Sequence, residues 1–166
     1  MTGVQTCALP IYSRDAPQAS GGYGVRFAIV NDGHAPATAA LVTALDTAVG
    51  DWMRAHHRQL ERIDASKLAP AVASQAVHGD DFAIGFWVLG YAPEALAGDG
   101  RTVPAGRARV RVRIADARAV IFDRVVTTDT VLGEVGASPG ALADRVAREV
   151  LEILRPHMMR DVRAWE

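Results

Sequence analysis

The segment Arg107–Ile114 alternates strictly between basic and apolar residues, and this alternation constrains the fold more than any other feature of the chain. An extended chain turns successive side chains to opposite faces, so a period of two predicts a β-strand. Val120–Thr128 is also rich in β-branched residues, and after a turn at Ala115–Arg118 it is expected to return as the antiparallel partner. The predicted strand is apolar on one face and basic on the other: Val110, Val112 and Ile114 against Arg107, Arg109, Arg111 and Arg113.

Hydrophobic periodicity predicts the other elements. Strands are expected at Val25–Val30, Leu60–Ile63 and Phe82–Tyr91. Helices are expected at Pro36–His57, at Asp64–Val77 and from Ser138 to near Pro156. The segment Pro93–Gly106 contains three Gly and two Pro, and it is expected to be a surface loop.

The first and last predicted helices each have an apolar stripe that is expected to face the core. In the first helix the stripe consists of Leu41, Leu45, Ala48, Val49 and Trp52. In the last helix it consists of Leu142, Val146, Val150, Ile153 and Leu154.

The resulting order of elements is β-α-β-α-β-β-β-α, which predicts an α/β (α+β) fold. Helical crossovers make the first three strands parallel with right-handed connections, whereas the last three strands form an antiparallel meander. A single mixed five-stranded sheet packed by three helices fits a chain of 166 residues.

The beginning of the chain has an unusual sequence. Met1–Ile11 resembles the translation of a short-read sequencing adapter, so we expect residues 1–12 to be an artefactual leader. We expect a linker at residues 13–24, the domain at 25–158 and a C-terminal tail at 159–166. The only cysteine, Cys7, lies in the expected leader, so no internal disulfide is expected. We also expect the native N-terminus to be missing, which leaves open whether a signal peptide or lipid anchor preceded the domain.

Composition and motifs exclude several classes of function. A formal net charge of −1 lacks the basic excess that is typical of nucleic-acid binders. No apolar run is long enough to predict a transmembrane helix. The glycine-containing loops carry no Walker lysine, and Ser66, Ser74 and Ser138 are expected to be helix caps or surface residues. We therefore expect no enzymatic activity, no catalytic residues, no metal site and no cofactor.

Five ordered segments resemble a known family: VRFAIVND, ERIDASKLAPAV, GDDFAIGFWVLG, the pair RARVRVRIADA and VIFDRVV, and RVAREVLEILRP. Over Val25–Pro156 the chain resembles the N-terminal domain of the TolB-like family, which is related to CsgG-like and LpoB-like envelope domains. It departs from the family pattern at Asp116-Ala117-Arg118, where a hairpin glycine is usual, and no propeller repeats follow. The resemblance implies a non-enzymatic scaffold or interaction domain of the bacterial envelope and carries over no catalytic residues.

One face of the sheet is the predicted binding surface. If Phe82, Ile84, Phe86 and Val88 face the helices, alternation places Trp87, Leu89 and Tyr91 on the opposite face. Arg109, Arg111 and Arg113 are expected there too, so guanidinium groups could lie over the aromatic rings. Aromatic and arginine side chains are enriched at interface hot spots. The alternatives are a solvated strand face partly neutralised by Asp116, Asp123 and Asp129, or a face covered by a loop or the linker.

The sequence therefore predicts a non-catalytic periplasmic or lipoprotein domain that binds another envelope protein. No nucleic-acid partner is expected. The alternative is an anion- or ligand-binding module that uses the arginines. The expected location is the periplasm or the outer membrane, with the cytoplasm as the alternative. Oligomeric state is left open.

Overall fold

The computed structural model describes residues 24–33, 35–56, 59–67, 82–116 and 118–158. The predicted leader, linker and C-terminal tail lie outside the described residues, as does most of the helix predicted at Asp64–Val77. Only a short 3₁₀ turn, Ala65–Lys67, is described within that predicted helix. The strands are β1 Gly24–Asn31, β2 Gln59–Arg62, β3 Phe82–Gly98, β4 Arg101–Ala115, β5 Val120–Thr127 and β6 Val131–Leu132, and the helices are α1 Thr38–Ala55 and α2 Pro139–Met158.

The predicted single mixed sheet is confirmed. Its strand order is β2-β1-β3-β4-β5, and a short sixth strand, β6, pairs with β4. β1 is parallel to both β2 and β3, and β3, β4 and β5 form an antiparallel meander. The sequence did not predict β6, because a two-residue strand has no readable period.

Both described helices pack on one face of the sheet. The stripe of α1 is confirmed: Leu41, Leu45 and Val49 are buried, and Trp52 packs partly buried against the same core. Ser138 caps α2, since its Oγ accepts the backbone N–H of Ala141 at 3.2 Å. Within the described chain, no helix combines the length and apolarity that crossing a membrane requires.

The predicted stripe of α2 is wrong at one position. Ile153 is 39% exposed, whereas its neighbour Leu154 is fully buried. Ala143 and Ala147 are buried as well, so the centre of the buried face is displaced toward these small residues and Ile153 lies at its margin. The prediction followed the large apolar residues and missed this displacement.

The loop predicted at Pro93–Gly106 is also wrong. β3 and β4 form one continuous hairpin, paired from Ala83 opposite Ala115 to Gly98 opposite Arg101. Asp99 and Gly100 form the turn with φ of 48° and 71°, as a type I′ turn requires. On the side of β3 that faces β1, the pairing ends at Val88, so no strand lies beside Pro93 there. A proline at such an unpaired edge removes no hydrogen bond between strands.

Candidate interaction face

The face of the sheet opposite α1 and α2 carries the candidate site. Residues paired across neighbouring strands share a face, so the pairings of β4 define its members. Arg111 lies between Trp87 of β3 and Val125 of β5, and Arg113 lies opposite Asp123. We call this surface the arginine face: Trp87, Arg109, Arg111, Arg113, Asp123, Val125 and Thr127.

The structure places Trp87, Arg109, Arg111 and Arg113 together on this face, as predicted. On the other face of the same strands, Phe86, Val88, Val110 and Val112 are fully buried in the core beneath the helices. The strict alternation of β4 therefore separates one buried face from one charged face over the whole arginine run.

The prediction that Tyr91 joins this face is wrong. The pairing of β3 with β4 shifts between Val88 and Gly90, so Gly90 instead of Leu89 stands opposite Arg109. Such a β-bulge adds one residue to β3 and reverses the face of every side chain after it. Tyr91 consequently stands opposite Ala108 and is only 5% exposed in the main core.

Tyr91 has a packing role on the helix side. A Cβ on Gly106 would lie 3.0 Å from the Tyr91 ring and 3.4 Å from Leu142, so the glycine lets β4 approach both side chains closely. Within the described residues the Tyr91 hydroxyl has no hydrogen-bond partner. Burial raises the pKa of Tyr91 above its ordinary value of 10.0.

A row of three side chains crosses the centre of the arginine face. The guanidinium carbon of Arg111 lies 5.7 Å from the centroid of the Trp87 ring, within the range of a cation–π contact. Arg111 donates to Asp123 from Nε to Oδ1 at 3.0 Å and from Nη2 to Oδ2 at 3.1 Å. This two-pronged bond fixes the plane of the guanidinium group. The predicted stacking of an arginine on an aromatic ring is thus confirmed for Trp87.

The carboxylate of Asp123 is held in its charged form. The hydrogen bond from Arg111 is the largest influence and lowers its pKa below the ordinary 3.8; burial opposes this in part, and the charges of Arg111 and Arg113 lower the pKa further. Asp123 therefore stays ionised through neutral and mildly acidic pH.

Arg109 keeps unused binding capacity, whereas the unpaired Nε of Arg113 is buried. Arg113 Nε lies 3.8 Å from Asp123 Oδ2, beyond hydrogen-bond distance, and it has no hydrogen-bond partner in the described structure. Arg109 makes no ion pair or side-chain hydrogen bond with any described residue. Arg107, next along β4, is instead occupied, since its Nε donates to Thr130 Oγ1 at 2.7 Å. The face thus carries three arginines against one aspartate.

Val125 and Thr127 were not singled out in the sequence. Val125 is 46% exposed beside Arg111, and Thr127 is exposed beside Arg109. The alternation of Phe122 and Val126 with Asp123 and Val125 along β5 could have identified them. The sequence prediction assigns faces to the residues of β4 by this alternation, but not to those of β5.

Other candidate sites have weaker chemistry. The loop before α2 reads G-x-S-x-G at Gly136–Gly140, but Ser138 is engaged as the helix cap and has no described base within hydrogen-bond reach. A groove between α1 and α2 is lined by small residues such as Ala44 and Ala48, with both signs of charge at its rim. Among the described residues no group of His, Cys, Asp or Glu is arranged to hold a metal ion.

Comparisons with known proteins find similarity in structure only. No family model matches the chain. No curated protein matches it either. The resemblance to the TolB N-terminal domain therefore stays a prediction.

Several solved structures are similar at low sequence identity. The hypothetical protein CT253 from Chlamydia trachomatis is 14% identical, with a TM-score of 0.46, covering 82% of this chain and 98% of that one. Lipoprotein GNA1162 from Neisseria meningitidis is 8% identical, with a TM-score of 0.49, covering 81% of this chain and 99% of that one. The PelC dodecamer from Paraburkholderia phytofirmans is 18% identical, with a TM-score of 0.47, covering 82% of this chain and 87% of that one.

Proposed function

We propose that this chain is a non-catalytic domain of the bacterial cell envelope that binds another envelope protein through the arginine face. The observation that carries the proposal is the row Trp87–Arg111–Asp123, flanked by the unpaired Arg109 and the exposed Val125. Tryptophan and arginine side chains are enriched at interface hot spots, and here the ring of Trp87 and the guanidinium group of Arg111 hold each other in place. The exposed Val125 adds apolar surface beside them. The envelope location rests on the resemblance of the sequence segments to TolB-like domains.

The rigidity of the face supports a binding role. Arg111 is held by a ring on one side and a carboxylate on the other, so little side-chain freedom remains to be lost when a partner docks. Arg109 supplies a free cation beside this fixed group. A merely solvated strand needs neither the ring contact nor the two-pronged ion pair.

The double variant Trp87→Ala/Arg109→Glu tests the proposal. It removes the ring and reverses the free cation while leaving the Arg111–Asp123 pair in place. Val135→Ala/Arg145→Glu is the matched control, because Val135 is 63% exposed and Arg145 lies exposed on α2, away from the arginine face. Folding is checked by circular dichroism, and capture from an envelope extract is compared by mass spectrometry. We expect the first variant to lose proteins that the parent and the control retain; equal capture by all three contradicts the proposal.

The second candidate is an anion- or ligand-binding module. The free and exposed Arg109 favours it, since its guanidinium group can donate to an oxyanion. Binding to heparin or anionic vesicles that weakens steeply with salt, without any captured protein, would support this function over the first.

A further inference from the structure

We infer that the partner supplies an extended acidic segment, which adds as a further strand to the outer edge of β5 and directs a carboxylate toward Arg109. This inference rests on the proposed function and names the partner's chemistry and its mode of docking. Strand addition to a free sheet edge combines backbone hydrogen bonds with side-chain recognition on alternate residues.

The outer edge of β5 has no strand beside it in the described chain. β5 is the last strand in the order, and β6 pairs with β4 instead. An edge of eight residues, Val120–Thr127, presents enough backbone groups for strand pairing.

The direction of the backbone groups follows from one hydrogen bond. Thr128 N–H donates to Ala108 O at 3.1 Å, so Thr128 turns its backbone groups toward β4. In an antiparallel ladder these groups alternate, so those of Asp123, Val125 and Thr127 point outward. These are the residues of β5 whose side chains lie on the arginine face. A strand that pairs with them therefore lies directly beside the arginine face.

Charge selects the kind of segment that fits. The arginine face has three arginines and one aspartate, and Asp123 already occupies Arg111. The free cation, Arg109, lies opposite Thr127 at the other end of β5. An added strand lies about 4.8 Å from β5 and about twice that distance from β4, a gap that a glutamate beside Thr127 and the long side chain of Arg109 can span together. Beside the exposed Val125 an apolar side chain fits, and beside Asp123 a carboxylate would be repelled.

The probe is a labelled peptide whose alternate residues are Glu, Val and Thr, placed to lie beside Thr127, Val125 and Asp123, with threonine at the positions between them. The analogue with Lys in place of Glu is the charge control. Binding is followed by fluorescence anisotropy. Thr127→Pro removes an outward N–H that makes no bond to β4, and Thr127→Val keeps that N–H with a similar shape. We expect Thr127→Pro and Arg109→Glu each to weaken binding of the Glu peptide at least tenfold. Thr127→Val should bind within twofold of the parent, and the Lys peptide should not bind.

A second probe leaves the protein unchanged, in case Thr127→Pro fails to fold. The peptide is methylated on one alternate set of backbone nitrogens or on the other. We expect one set to abolish binding and the other to preserve it, because only the amides that face β5 donate to it. Equal binding by both methylated peptides, or by the parent and a folded Thr127→Pro, overturns strand addition. Equal competition by inorganic phosphate or by anionic vesicles at matched charge overturns the acidic peptide as the ligand.

The two proposals fail in different ways. If the methylated peptides bind alike while Arg109→Glu still weakens both peptide binding and protein capture, strand addition is wrong and the proposed function stands. If Arg109→Glu changes neither, both are wrong.

Discussion

Trp87 and Arg111 stand opposite each other across the β3–β4 ladder, with the guanidinium carbon of Arg111 5.7 Å from the centroid of the indole ring. Asp123 binds the same guanidinium group from β5, so ring, cation and carboxylate form one row across three strands. These contacts hold the Arg111 side chain in one orientation within a run of like charges. They also leave Arg109 as the cation with unused binding capacity.

The ion pair predicts an acid dependence of stability. The pKa of Asp123 is lower in the folded state than its ordinary 3.8, so its contribution to stability is present above that value and is lost as the pH falls through the folded-state pKa. Asp123→Asn should therefore lower the Tm slightly at neutral pH, with the difference shrinking once the pH drops below 3.8. Thermal unfolding along a pH series measures this. The exposed Asp129→Asn is the control, and a pH-independent difference for Asp123→Asn would contradict the account.

The burial of Tyr91 predicts that the stability of the fold decreases at alkaline pH. The pKa of Tyr91 is raised by burial, so the stability it contributes is complete below the ordinary value of 10.0 and is lost as the pH rises through the folded-state pKa. Tyr91→Phe should remove this alkaline loss. Because the buried hydroxyl has no described partner, the substitution should leave the free energy of unfolding unchanged or raise it by about 1 kcal/mol at neutral pH. Urea unfolding at neutral and alkaline pH checks both; a marked loss at neutral pH would show that the hydroxyl is hydrogen-bonded.

Two neighbouring residues of α2 give a matched test of the core. Leu154 is fully buried and Ile153 is 39% exposed. Leu154→Ala should lower the free energy of unfolding by about 2–5 kcal/mol, since it leaves a cavity. Ile153→Ala should change it by no more than about 0.5 kcal/mol, as is usual at surface positions. Equal effects in denaturant titrations would contradict the position of the buried face.

The hairpin turn predicts a local effect. Gly100 has φ of 71°, where an L side chain is strained, whereas a Cβ at Gly98 meets no atom within 4 Å. Gly100→Ala should cost about 1–2 kcal/mol in the turn, and Gly98→Ala should cost less. Hydrogen exchange of the amides beyond Gly90 should speed up in the first variant only. Similar exchange in both would show that the turn does not limit the order of the hairpin.

The sequence predicts β4 and its neighbours well because the period of two is unbroken along the arginine run from Arg107 to Ile114. The alternation of Arg109 with Val110 assigns both faces of β4, and the meander follows from the adjacent β5. The turn between β4 and β5 forms at the predicted position without the usual glycine, because Asp116 Oδ1 accepts the backbone N–H groups of Arg118 and Ala119 at 2.7 Å.

Two errors along β3 and β4 have different causes. Tyr91 was assigned by extending the period from Trp87, but a β-bulge adds a residue without changing the composition that defines the strand. The segment after it was predicted to be a loop from its Gly and Pro content, although Asp99-Gly100 is itself a hairpin signal. The bulge becomes visible only in the pairing of β3 with β4, whereas the turn signal is present in the sequence.

The central claim, that the arginine face is the protein-binding surface, is tested most directly by site-specific photo-cross-linking in the intact cell envelope. A photoreactive amino acid replaces Val125, which is 46% exposed on that face, or Val135, which is 63% exposed before α2. The account predicts one discrete adduct with an envelope protein from position 125, lost when Arg109→Glu is added, and absent from position 135. An adduct that forms equally from position 135, or one from position 125 that persists with Arg109→Glu, would contradict it.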